Sequence, residues 1–382
     1  MHNYNVIVLG PSGSGKTVYL ASMYKSLSIQ KGHTSFFLET NAEQRKLLIN
    51  KYTQIAGPGD WPPPTQYREI SEWQFRVCVE NESQYKFPAF QFTYLDYAGE
   101  RIVDAKQDGA AEAEFETRLQ EADALVGILD GRRILSLMRG ESDSQIFLLR
   151  ELQNILDIMQ GTRCPGHFVI TKWDLLDGKY SLGEVRDELL KNEDFKALVK
   201  QRSKTMKLPL RLIPISSVGN GFAELQPDGE MRKIPGAQPK PFQVEMPLAC
   251  VLPDQLKTQL EKIKEKELKI QSESIETEPD LSLWDIFGEL IGSGLRTVRQ
   301  YLRDEFQLDD NLLKLLISYA EMGARGKREE AEKRSEELRL EKEESLKLVR
   351  DDKTAIEHAI RSFGYLVSVL ERDFPESNLS SI

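Results

Sequence analysis

An apolar run, Val6-Ile7-Val8-Leu9, leads directly into Gly10-Pro11-Ser12-Gly13-Ser14-Gly15-Lys16-Thr17. A buried strand that feeds a glycine-rich turn and then a helix leaves few folds open. The turn's backbone N–H groups can wrap a polyphosphate, Lys16 can reach its β and γ phosphates, and the Thr17 hydroxyl can take one Mg²⁺ position. The helix that follows, from about Lys16 to Ser28, points its positive dipole end at the same anion. The bland alternative is a glycine-rich turn that only joins strand to helix, and it weakens as further motifs follow in order.

The first is Phe92-Thr93-Tyr94-Leu95-Asp96-Tyr97-Ala98-Gly99-Glu100. A strand ending in Asp96 beside the P-loop strand can hold Mg²⁺, commonly through water. The Gly99 N–H can meet a γ-phosphate oxygen. The second is His167-Phe168-Val169-Ile170-Thr171-Lys172-Trp173-Asp174. The Asp174 carboxylate can accept from N1–H and the 2-amino group of guanine, whereas adenine sets an acceptor against it. The Lys172 stem can lie along the base plane. Either segment alone is a polar turn after a strand; the order of the three decides.

In that order the chain resembles the translation-factor-related class of P-loop GTPases, which includes Ras-like and Arf-like proteins. The resemblance covers about residues 1 to 265. It implies binding of GTP and GDP with Mg²⁺. Ser216-Ser217-Val218, after the strand Arg211-Leu212-Ile213-Pro214-Ile215, resembles the fifth GTPase motif, whose backbone contacts guanine O6. Thr65, after Pro62-Pro63-Pro64, corresponds to the switch I threonine that closes over Mg²⁺, with Thr53 as the alternative. Glu100 stands where Ras-like proteins carry a water-orienting Gln. A carboxylate there accepts from water but cannot donate to phosphate, so Glu100 is a distinct water-positioning residue, a weak catalyst or a solvated residue of switch II. Arg101 is a cis cation or a surface residue. The stretch Pro241-Phe242-Gln243-Val244-Glu245-Met246-Pro247-Leu248 is similar to a feature of bacterial double-GTPase-like proteins of multi-gene systems.

The pattern around the motifs predicts an α/β fold. Six strands are expected near residues 4–10, 72–80, 87–95, 123–130, 168 and 210, alternating with helices. They form a doubly wound, mostly parallel six-stranded sheet in which the 72–80 strand is the one antiparallel edge strand. Gly57-Pro58-Gly59-Asp60-Trp61-Pro62 is a loop, because prolines lack the donor N–H and disfavour helix before them. Trp61 there is a hinge anchor, a partner contact or a half-buried loop aromatic. Residues 1–271 form the GTPase domain, with a Gly/Pro-rich insertion at about 220–247, and residues 272–382 form an all-α C-terminal region.

In that region Leu283, Phe287, Leu290, Ile291, Leu295, Val298 and Leu302 share a helical face. Residues 325–352 are dense in opposite charges at helical spacing, which suits a solvated helix. Ile356, Ile360, Phe363, Leu366, Val367 and Leu370 resume an apolar stripe, consistent with an αα-hairpin. The tail from Pro375 is expected to fray.

At 382 residues and 40% hydrophobic content the chain can bury a sizeable core. Its net charge of −10 argues against nonspecific nucleic-acid binding, which needs Lys and Arg on phosphates. Three scattered cysteines, Cys78, Cys164 and Cys250, suggest neither a disulfide framework nor a zinc site and suit a cytoplasmic setting. Neither a secretory leader nor a membrane span is expected.

The leading functional expectation is a GTP-binding protein with slow Mg²⁺-dependent hydrolysis. It would act as a switch for a protein partner reached through the switch regions and the C-terminal helices, and dimerisation is left open. Lys16, Glu100 and Thr65 would serve the hydrolysis; Thr17, Thr65 and Asp96 would hold the metal. Gly10, Ser12, Gly13, Ser14, Gly15, Lys16, Thr17, Gly99, Thr171, Lys172, Asp174, Ser216, Ser217 and Val218 would hold the nucleotide. Two other readings stand beside it: a nucleotide-binding scaffold that barely hydrolyses, and an ATP-dependent P-loop enzyme, which leaves Asp174 idle.

Overall fold

The computed structural model describes residues 2–62, 71–98, 109–272, 309–315 and 328–381. Its centre is a seven-stranded sheet in the order β2-β3-β4-β1-β5-β6-β7. The strands are β1 (Asn3–Gly10), β2 (Phe37–Glu39), β3 (Ser71–Glu80), β4 (Lys86–Ala98), β5 (Ala124–Asp130), β6 (Gly166–Thr171) and β7 (Leu210–Pro214). From β4 to β7 every neighbouring pair is parallel, and β3 alone runs against the rest.

The α/β class and the mostly parallel sheet agree with the sequence. Two details are corrected. The sheet has seven strands rather than six, and the antiparallel strand is second from one side, not at the edge. The strand that went unread, β2, has only three residues, too few for a period-2 pattern to register. Beyond its reach the β3 backbone is completed by side-chain amides. Gln44 accepts from Gln74 N at 3.0 Å and donates to Glu72 O at 2.8 Å. Gln30 does the same for both backbone groups of Glu80 at 2.8 Å. Each amide stands in for a missing strand partner, so the edge carries fewer open groups.

Helices cover both faces. On one side lie α1 (Lys16–Leu27), α2 (Ala42–Ala56) and α8 (Met246–Ser272); on the other lie α4 (Gly131–Met138), α5 (144–160, with a π-helical turn at Phe147–Leu152), α6 (Leu182–Leu189) and α7 (Glu193–Lys200). Helix α3 (Gly109–Gln120) precedes β5. A two-stranded hairpin, β8 (Ala223–Leu225) and β9 (Met231–Lys233), occupies the insertion before α8.

The C-terminal helices α9 (Arg328–Lys347) and α10 (Asp352–Asp373) pack on each other. Helix α10 also lies on the sheet. Its expected stripe is buried, from Ile360 through Leu370, and the Phe363 ring sits 4.9 Å from Phe36, 6.2 Å from Phe92 and 6.3 Å from Phe90. A buried ionic cluster ties it further. Arg211 of β7 meets Asp254 of α8 at 2.5 Å and Glu371 of α10 at 2.7 Å, and His167 of β6 faces Asp254 at 3.0 Å. Burial pushes the Asp254 carboxyl up, but Arg211 and His167 outweigh it and hold it well below the usual range. One hydrophobic core therefore holds described residues from both sides of position 272.

The tail is ordered rather than frayed. Leu379 is buried, the Leu210 N–H donates to Ser380 Oγ at 3.0 Å, and Asn378 forms a bridge with Arg211 at the edge of the sheet. The stripe at Leu283–Leu302 lies outside the described residues. Among the described residues no helix is long and apolar enough to cross a membrane, and no cluster has metal-ligand composition by His, Cys, Asp and Glu alone.

His358 of α10 gives this packing a pH signature. It is fully buried, its Nε2 faces Ser35 O at 3.0 Å and its Nδ1 faces the Ser345 hydroxyl at 2.8 Å. Burial pushes its pKa down to about 4. The unfolded chain takes up this proton near pH 6.5 and the folded chain only near 4, so stability is full above the first value and falls as the pH drops to the second. We expect a loss of about 3 kcal/mol over that window. Denaturant titrations between pH 7 and 4 check it, and His358→Gln should flatten that slope.

Candidate functional site

The P-loop is built as its glycines require. Gly13 and Gly15 have φ of 76° and 97°, a left-handed region that favours residues without Cβ, and Gly15 caps α1. The chain therefore turns sharply after β1 and enters the helix. Lys16 is almost wholly buried, and its Nζ donates to Gly10 O at 2.7 Å and Pro11 O at 3.0 Å. The ammonium is thereby fixed over the loop.

The loop after β6 is stitched onto it. Thr171 Oγ1 donates to Ser14 O at 2.7 Å, and Lys172 Nζ donates to Gly13 O at 3.1 Å. Lys172 itself adopts φ 52°, which turns the chain into the single 3-10 turn that carries Asp174. Asp174 Oδ1 accepts from Ser216 Oγ at 2.5 Å, and Ser216 Oγ in turn accepts from Gly219 N at 2.7 Å. Burial raises the Asp174 carboxyl above its ordinary pKa, with the Ser216 hydroxyl opposing.

These segments converge on one cleft of about 570 Å³. Its walls include Ser12, Gly13, Gly15, Lys16, Thr17, Thr171, Lys172, Asp174, Ser217 and Val218. Gly10, Ser14 and Ser216 stand behind that wall, each bonded to a residue on it or its backbone. A larger cavity of about 1290 Å³ lies beyond Trp173, between α6 and the C-terminal helices. It holds no phosphate-wrapping backbone, so the smaller cleft is the better site on chemical grounds.

Asp96 lies near the carboxyl end of β4. It pairs in register with Val8, is 2% exposed, and its Oδ1 has no hydrogen-bond partner among the described residues. Burial raises its pKa, and the charges of Lys16 and Lys51 draw it back down. A buried carboxylate oxygen without a protein donor suits a cation, and so the residues present fit a magnesium ion. Thr65, Gly99, Glu100 and Arg101 lie outside the described residues. The alternative Thr53 sits on α2, where its hydroxyl is turned back to Ile49 O at 2.8 Å.

Asp130 and Arg132 were not among the residues expected at the site. Asp130, at the end of β5, is 3% exposed and accepts from Lys172 Nζ at 2.8 Å and Arg132 Nη2 at 2.9 Å. Burial works against its charge, but Lys172 and Arg132 prevail and keep its pKa low. Burial lowers the Lys172 pKa despite the opposing charge of Asp130. Arg132 also lines the cleft, as do Trp61, Glu230 and Met231 from the loop after α2 and from the hairpin. An Asp at a strand's carboxyl end was the available signal.

Gly131, next to Asp130, permits the close approach. A Cβ there would meet Thr171 O at 2.2 Å and Lys172 O at 2.8 Å. Both are backbone atoms that cannot rotate away. Gly131→Ala should cost about 3 kcal/mol, and chemical denaturation against the unaltered chain measures it.

Residues 7–136 match the family model described as Double-GTPase 1. No curated protein matches the chain. Among solved structures, the GTPase-like domain of Ski7 from S. cerevisiae, bound to GDP and inorganic phosphate, is similar at 15% identity over 62% of this chain and 47% of that one, with a TM-score of 0.33. The signal recognition particle receptor SRb-GTP/SRX complex of Chaetomium thermophilum is similar at 16% identity over 57% and 92%, with a TM-score of 0.31. Roco2 of Methanosarcina barkeri, bound to GDP, follows at 15% identity over 57% and 44%, with a TM-score of 0.25. The chain thus spans about half the length of the Ski7 and Roco2 chains.

Proposed function

We propose that the protein binds GTP, hydrolyses it slowly with Mg²⁺, and serves as a nucleotide-controlled switch for a protein partner. One observation carries the reading. Four chain segments, 10–17, 96, 171–174 and 216–218, are brought to one sheet end with the chemistry for phosphate, metal and guanine in the matching order. The Double-GTPase 1 match over residues 7–136 supports it.

Each residue has a definite task in this reading. The N–H groups from Gly13 to Thr17 surround the phosphates, and α1 adds its positive end. Lys16 sets a cation against the oxygens on which negative charge accumulates as water attacks the γ-phosphate in line. Asp174 accepts from the two guanine donors, with Ser216 holding its other side in place. Lys172, held by Asp130 and Gly13 O, lies along the base. Thr17 and Asp96 would hold magnesium, which when bound supplies positive charge to the β and γ phosphate oxygens.

Lys16→Ala should lower GTP affinity about 100-fold or more, since a charge-assisted phosphate contact is removed. Isothermal titration with GTP and Mg²⁺ checks this, and affinity within a few-fold of the unaltered chain would remove the P-loop from the site.

Asp174→Asn should weaken GTP about 100-fold and strengthen xanthosine triphosphate, because xanthine places a carbonyl where guanine has its amino group and an amide can donate to it. Competition among GTP, ATP and xanthosine triphosphate reads it. Unchanged GTP preference would mean that guanine is not read by Asp174. Phosphate release under single-turnover conditions then separates a slow GTPase from a scaffold.

A further inference from the structure

The insertion between the fifth motif and α8 is not an idle loop. Its hairpin is fastened at both ends of the cleft. Near its turn, Gly229 O accepts from Arg132 Nη1 at 2.8 Å, and Arg132 is the residue that shares Asp130 with Lys172. At its other end Lys233 extends an ammonium into a ring of backbone carbonyls: Gln54 O at 2.6 Å, Gly57 O at 3.1 Å and Asp60 O at 3.2 Å. Three N–H donors meet three carbonyls, two of them at the end of α2, where helix carbonyls lack internal partners. The same ammonium lies 5.2 Å over the Trp61 ring, and Trp61 Nε1 donates to Met231 O at 2.6 Å. Trp61 packs edge-on to the buried Phe222, 6.0 Å between centroids.

The hairpin therefore bridges the guanine end of the cleft and the segment that leads out of α2. It places Met231 and Glu230 in the wall of the cleft that the P-loop also lines. We propose that the 223–233 hairpin is the outer wall that retains the nucleotide, with Lys233 as its positioning residue. The inference rests on the nucleotide reading above and adds to it a determinant of residence time. A ligand lodged between P-loop and hairpin leaves only when that wall moves, and the wall moves only when the Lys233 and Arg132 contacts break. Interactions of this kind act on the dissociation rate more than on association.

The full chain is loaded with a fluorescent GDP analogue and chased with excess GDP, beside Lys233→Ala and Trp61→Phe. Lys233→Ala should speed dissociation about tenfold with association changed less than about threefold. Trp61→Phe keeps an aromatic ring, though a smaller one, loses the N–H donor and should fall between. In the unaltered chain, amide hydrogen exchange across 223–233 should slow when GDP is bound. Normal binding with dissociation within about twofold of the unaltered chain in both variants, or no GDP-dependent protection of the hairpin, overturns the proposal alone. Failure of the unaltered chain to bind the GDP analogue overturns the nucleotide reading with it.

Discussion

The site hangs on one buried carboxylate. Asp130 sits at the end of the central strand β5 and holds two cations at once, Lys172 and Arg132. A charge this deep is tolerated only when paired and hydrogen-bonded. Each cation then carries the constraint outward. Lys172 continues to Gly13 O of the P-loop, and Arg132 to Gly229 O of the hairpin. Three segments far apart in the chain are thereby referred to one point. The arrangement exists because Gly131 lets α4 start against the backbone of Thr171 and Lys172.

The second constraint is the layer laid over β4. Helix α10 buries Phe363 against Phe36, Phe90 and Phe92, and the Arg211 cluster joins it to β7 and α8. Burying such a cluster contributes less to stability than to specifying how helices dock, since a shifted helix would strand a charge. The strand under α10 is also the strand that carries Asp96. A partner held on the C-terminal helices would thus sit one layer from the residue assigned here to the metal. Under the proposed reading, that proximity would let the appendage report the nucleotide, because a ligand shifts an equilibrium only through contacts that differ between two states.

Much of the site was legible because its chemistry is local. A phosphate loop needs glycines, a lysine and a hydroxyl within eight residues, and a guanine-reading loop needs its Thr, Lys and Asp within four. The β3–β4 hairpin and the α10 stripe were legible from periodicity, as Phe363 and Leu370 show. Where the signal spans few residues or acts at a distance, reading failed. Strand β2 is too short to show a period, and its continuation by Gln44 and Gln30 looks like any polar side chain in the sequence. The tail looked free because its anchors, the Leu210 N–H and Arg211, lie about 170 residues away.

The sequence by itself determined the order of motifs along the chain, the alternation of strand and helix, and the chemistry offered at each strand end. These depend on neighbouring residues, through backbone conformation and side-chain periodicity. Only the tertiary structure decided which charges are paired, what closes the cleft and what covers the sheet. Asp130 finds Lys172 across 42 residues, Arg132 finds Gly229 across 97, and Lys233 finds the end of α2 across 176. Such pairings are set by strand order and burial, which place distant side chains at hydrogen-bonding distance in a medium where leaving them apart is costly.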